Sequence, residues 1–83
     1  MMIDKNISVI GLGYIGLPTA ALLANHGYMV NGMDTNKNII DSLKNGKVHI
    51  VEPEIDEYVS SALKNKKLQV SMNLEPADIY IIC

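Results

Sequence analysis

The sequence predicts an α/β domain, a parallel β-sheet covered by helices, and three observations carry that prediction. Short apolar runs alternate with amphipathic stretches in the order β-α-β-α-α-β-β along 83 residues. Three of the six glycines fall together as G-x-G-x-x-G, at Gly11, Gly13 and Gly16, directly after the first apolar run. An acidic residue, Asp34, closes the second.

Ile7, Val9 and Ile10 form a β-branched run ended by Gly11, the pattern of a buried strand. After the glycines, Ile15, Thr19, Leu22, Leu23 and His26 recur at helical spacing. Gly16, Ala20 and Ala24 give the same helix a stripe of small residues that permits close approach to a sheet. Pro18 belongs in its first turn, and Gly27 is a C-terminal stop. Tyr28 to Met33 reads as the second strand. Thr35-Asn36 offers a cap to a short helix with Ile39, Ile40 and Leu43 on one face, closed by Gly46.

Lys47 to Glu52 is expected to be a loop with one or two extended residues, and Pro53 to open the next helix. There Ile55, Tyr58, Val59, Ala62 and Leu63 follow the i, i+3, i+4, i+7, i+8 pattern without a gap. Glu54, Asp56 and Glu57 at its start and Lys64, Lys66 and Lys67 at its end suit the helix dipole. Leu68, Val70 and Met72 alternate with polar residues as a third strand, and Ile79 to Cys83 is a continuous apolar run, the fourth. The expected strand order is 3-2-1-4.

Strand, glycine triplet, helix and acid together form the fingerprint of a Rossmann-like, doubly wound dinucleotide-binding unit. Gly11 permits the tight turn, Gly13 lets the backbone approach a pyrophosphate, and Gly16 lets the helix pack closely. Tyr14 and Ile15 lie between them, where their N–H groups and the helix N-terminus can meet the phosphates. Asp34 follows Gly16 by eighteen residues, near the spacing of about 20 for the ribose-binding acid. Its carboxylate accepts from ribose hydroxyls and repels a 2′-phosphate, and the chain has no Arg to reverse that preference. NAD is therefore expected over NADP, with Lys37 placed to soften the discrimination.

Composition narrows the remaining classes. With 48% hydrophobic residues and a net charge of −2, the chain has globular character and no electrostatic reason to bind nucleic acid or an anionic membrane. A single Cys excludes an internal disulfide and a multi-cysteine metal site and fits a reducing compartment, so a cytoplasmic location is expected. His26 and His49 have no partners at metal-ligand spacing, so no metal site is expected. Helix-start charge accounts for the acidic cluster at Glu52 to Glu57 without catalysis. Cys83, in an apolar strand, reads as structural.

ISVIGLGYIGLPTA, followed by GMD and then NGKVHIVEPEI, resembles the N-terminal part of the nucleotide-sugar 6-dehydrogenases, which include the UDP-glucose and GDP-mannose enzymes. The resemblance runs from Ile7 to Cys83. It implies that Gly11 to Gly16, with Tyr14 and Ile15, hold the NAD pyrophosphate and that Asp34 anchors the adenosine ribose. It implies further that the whole enzyme oxidises the CH₂OH of a UDP-sugar to a carboxylate with two NAD⁺. A cysteine carries the intermediates as a thiohemiacetal and then a thioester. That cysteine, its assisting Lys, Asn and Asp, and a V-P-T-P segment belong beyond residue 83, so Cys83 is not the nucleophile and no catalytic residue is assigned here. Two other readings stay open: a non-catalytic NAD-binding regulatory module, and an FAD-binding βαβ unit, which more often carries Glu at the ribose position.

A buried parallel strand expects a helix after it, so residues 1–83 read as the N-terminal portion of a truncated NAD-binding domain without substrate domains. Such a chain is expected to be inactive alone and to form homo-oligomers or self-associate through an exposed apolar sheet edge.

Overall fold

Strands β1 (Asn6–Ile10), β2 (Met29–Met33), β3 (Leu68–Ser71) and β4 (Ile79–Ile82) alternate with helices α1 (Gly16–Asn25), α2 (Lys37–Lys44) and α3 (Pro53–Lys64) in the expected order. The structure, a computed structural model, describes residues 5–48 and 53–83. The loop expected at Lys47 to Glu52, with His49 and Glu52, therefore lies mostly outside the described residues. All strand pairs are parallel and the sheet order is β3-β2-β1-β4, as the sequence predicts.

The register separates the two sides of the sheet. Ile7 pairs with Val30 and Ile79, Val30 with Leu68, and the next inward row is Ile81, Val9, Gly32 and Val70. Since side chains alternate along a strand, these rows share one face. Against it pack Leu17, Ala20, Ala21 and Ala24 of α1, Ile40 and Leu43 of α2, and Val59 and Ala62 of α3, forming one buried core. The opposite face carries a polar row, Tyr80, Ser8, Asn31 and Gln69 in neighbouring register. Ser8 is nevertheless only 1% exposed, because its hydroxyl donates to the Glu75 carbonyl at 3.0 Å. The connection from β3 to β4 is thus held against that face, and it is tied again where the Asn6 amide donates to Asp78 Oδ2 at 2.9 Å.

Local expectations are partly met and partly corrected. The core face of α1 contains the expected small-residue stripe of Gly16, Ala20 and Ala24, joined by Leu17 and Ala21, whereas Ile15 and Leu22 of the apolar spacing point outward. Small side chains let the helix axis come close to the sheet, which excludes larger ones from the same stripe. β3 ends at Ser71, and Met72 is exposed. The Ser71 hydroxyl donates to the Asn73 carbonyl at 2.8 Å and accepts from the Asn73 amide, a local turn that competes with further strand. Along β4, at the end of the described sheet, Ile79, Tyr80 and Ile82 are exposed, in line with the apolar edge expected there.

Helix ends follow local chemistry. Asn36 Oδ1 accepts from the Asn38 amide at 3.0 Å and from Ile39, the expected cap of α2. Gly27 and Gly46 follow the C-caps of α1 and α2 with positive φ. After α3 the left-handed position falls on Lys66, with φ of 60°, where no glycine announces it.

Candidate functional site

The glycine turn lies where the carboxyl ends of β1, β2 and β4 converge. The main-chain ladder continues past the strands into it: the Gly11 amide donates to the Met33 carbonyl at 2.8 Å, and the Cys83 amide to the Ile10 carbonyl at 2.8 Å. Chain order steps outward from β1 to β2 and β3, then returns to the other side of β1 for β4. The turn therefore stands at the point where the sheet reverses direction, the place where open α/β sheets form their crevice.

Each glycine of the triplet answers a different steric demand. Gly11 has φ of 96°, and a Cβ there would lie 2.6 Å from the Cys83 carbonyl oxygen. At Gly16 a Cβ would overlap the Gly11 carbonyl oxygen and approach Cys83 Cβ to 3.3 Å. The sequence reading expects Gly16 to serve helix-to-strand packing; the obstacle is the turn itself, folded back over the start of α1. Gly13 is the opposite case, with nothing within 4 Å of its Cβ position. Its open side is a space that a ligand can approach without meeting a side chain.

Around that space, among the described residues, the amides of Gly13, Tyr14 and Ile15 donate to no protein acceptor. Ile15 is the N-cap of α1 and supplies no side-chain cap, and the first turn contains no acid. The other two helices have what α1 lacks, Asn36 on α2 and Glu54 with Asp56 on α3. Unpaired N–H groups and the positive end of a helix dipole suit an anion. The Tyr14 and Ile15 side chains, 81% and 74% exposed, add no packing, so these residues face the site with their main chain.

Asp34 stands just beyond β2, beside the turn. Its Oδ2 accepts from the Leu12 amide at 2.8 Å and its Oδ1 from the Asn36 amide at 2.8 Å. The structure thus brings Gly11, Gly13, Tyr14, Ile15, Gly16 and Asp34 into one cluster. The sequence reading missed Leu12, whose amide meets Asp34 and whose side chain is fully buried. A Cβ on Gly32 would lie 2.9 Å from Leu12 Cδ2, so the leucine fills the space that this strand glycine leaves. A lone glycine inside a strand signals such an approach. Lys37, placed by the sequence reading to soften the discrimination, has its ammonium on Asp41 one turn along α2 at 2.7 Å, an exposed pair. The hydrogen bond and charge of Asp41 hold the Lys37 pKa above its ordinary value, so it stays protonated.

Of the other candidates, Cys83 follows β4 with its main chain against the glycine turn and carries an exposed free thiol, while His26 is exposed at the C-terminus of α1. Among the described residues no three His, Cys, Asp or Glu side chains come together as a metal site, and no helix is long and apolar enough to cross a membrane.

Comparison with known proteins agrees with this geometry. Residues 5–83 match the NAD binding domain of the UDP-glucose/GDP-mannose dehydrogenase family. The chain belongs to that family. It is 52% identical over 79 residues to a UDP-N-acetyl-D-mannosamine dehydrogenase of Methanococcus maripaludis, a match covering 95% of this chain and 18% of the relative. Its fold superposes on the UDP-N-acetyl-mannosamine dehydrogenase Cap5O of Staphylococcus aureus with a TM-score of 0.92 at 44% identity, over 95% of this chain and 19% of that one. A GDP-mannose dehydrogenase of Pseudomonas aeruginosa, solved as a ternary complex, gives 0.85 at 31% identity, over 93% and 19% of the two chains. The chain thus spans about a fifth of the length of the relatives it matches. It carries an NAD-binding domain of Rossmann architecture.

Proposed function

We propose that this chain is the NAD-binding part of a UDP-sugar 6-dehydrogenase, one that oxidises UDP-N-acetyl-D-mannosamine to the uronate with two NAD⁺. The observation that carries the cofactor reading is the open side of Gly13, bordered by unpaired amides and by the Asp34 carboxylate. Gly11, Gly13, Tyr14, Ile15 and Gly16 would hold the diphosphate, and Asp34 the adenosine ribose. The nicotinamide supplies a hydride acceptor when bound; this chain's own residues bind and orient it. The choice of sugar is supported by the names of the relatives and by their identity of 52% and 44%. Family membership favours this reading over a regulatory module or an FAD unit.

Residues 1–83 then correspond to the N-terminal portion of the cofactor domain. The sugar pocket and thiol nucleophile belong to the greater part of such an enzyme, so these residues alone give no turnover. A cytoplasmic setting and a role in making polysaccharide precursors follow from a nucleotide-sugar substrate. We also expect self-association along the exposed β4 edge. Calorimetric titration tests the cofactor reading: NAD(H) should bind more tightly than NADP(H), because Asp34 repels a 2′-phosphate and Lys37 is engaged by Asp41. Equal affinities would overturn it.

A further inference from the structure

We infer that Asp34 is a positioning residue for the glycine turn as well as an acceptor for the ribose, an inference that rests on the cofactor reading above. The carboxylate is bonded within the chain itself, Oδ2 accepting from the Leu12 amide and Oδ1 from the Asn36 amide, both at 2.8 Å. Leu12 is the residue between Gly11, whose amide is fixed by the Met33 carbonyl, and Gly13, whose amide begins the unpaired series. Its side chain is fully buried, with both Cδ atoms against Gly32. The Asp34 bond therefore completes the fixing of Leu12, from its main chain as well as its side chain. The orientation of the next three amides depends on that fixed point.

The two roles are compatible. An ionised carboxylate has about four acceptor directions, two per oxygen. The backbone bonds use one on each oxygen and leave one on each for a ribose hydroxyl. Asparagine cannot do the same: its NH₂ would face one of the two backbone N–H groups, donor against donor. A substitution made at Asp34 to admit NADP should thus disturb the diphosphate amides along with the ribose contact.

The test separates these roles by ligand. ADP and 2′,3′-dideoxyadenosine 5′-diphosphate share the diphosphate, but the second lacks both ribose hydroxyls. Binding of each is measured on the chain, on Asp34→Ala and on Asp34→Asn, with circular dichroism to show that each variant is folded. Loss of a hydrogen bond to a charged group should weaken the dideoxy ligand about tenfold in Asp34→Ala. Unchanged dideoxy binding with weakened ADP binding would make Asp34 a ribose anchor only, overturning the inference and leaving the cofactor reading intact. If the wild type binds neither ligand, the cofactor reading falls and the inference with it. Hydrogen exchange needs no ligand and no variant: the Leu12 amide should be protected in the wild type, and free exchange there overturns the proposal.

Discussion

Replacing Gly16 by alanine should cost more than any other single methyl group in the turn. The new Cβ would occupy the position of the Gly11 carbonyl oxygen, a main-chain atom that no rotamer change can move. The turn cannot easily retreat, because the Gly11 amide is bonded to Met33 and the Leu12 amide to Asp34. Overpacking typically costs 1–3 kcal/mol, and the upper end, about 3 kcal/mol, is appropriate where backbone must shift. A domain of this length has about 4–12 kcal/mol of total stability. At about 4–8 °C per kcal/mol, the melting temperature should fall by about 12–24 °C. Gly13→Ala is the control. Its Cβ meets nothing within 4 Å and its φ is not left-handed, so stability should change by less than about 0.5 kcal/mol. Its methyl group would instead project into the proposed diphosphate space and weaken NAD. Thermal melts followed by circular dichroism and NAD titrations of both variants decide the matter. A Gly16→Ala melt within experimental error of the wild type, or a Gly13→Ala variant that unfolds, would refute the account of the turn.

Two further outcomes are expected. Lys66→Gly should stabilise the chain by about 0.5–1 kcal/mol, because a residue with a Cβ now holds a left-handed position at the end of α3; a lower melting temperature would contradict that geometry. Light scattering over a concentration series should show mass above the monomer, and Ile82→Lys, on a side chain 79% exposed at the β4 edge, should shift it back; a monomer at high concentration excludes the association.

What could be read in advance was whatever depends on periodicity and on local steric rules. The order of elements, the parallel sheet and the 3-2-1-4 arrangement follow from apolar runs, breakers and one glycine triplet. In α1 the stripe of Gly16, Ala20 and Ala24 is legible as the packing face, but hydrophobic spacing, which ranks large residues first, does not show that Ile15 and Leu22 point outward. Lys66 carries no signal, since its left-handed backbone ends α3 through a local bond of its amide to the Leu63 carbonyl without the glycine that usually marks such a position. The sequence places an acid at Asp34, while its bonds to Leu12 and Asn36, far apart in sequence and near respectively, appear only in three dimensions. Ser8 reads as an ordinary strand serine until the Glu75 carbonyl is seen above it.

The nature of the atom facing each glycine has a genetic consequence. Gly11 is confined by the carbonyl oxygen of residue 83, and Gly16 by the carbonyl oxygen of residue 11. Every amino acid carries that oxygen, so no exchange at the opposing residue can suppress a mutation at either glycine. Gly32 is confined by the methyl groups of Leu12, which a smaller side chain would remove. A selection for second-site revertants should therefore recover Gly32→Ala through changes at Leu12, and return nothing but true reversion at Gly11 and Gly16. Two glycines of the turn thus answer to main chain that no mutation can trim, while Gly32 in β2 is negotiable with its neighbour.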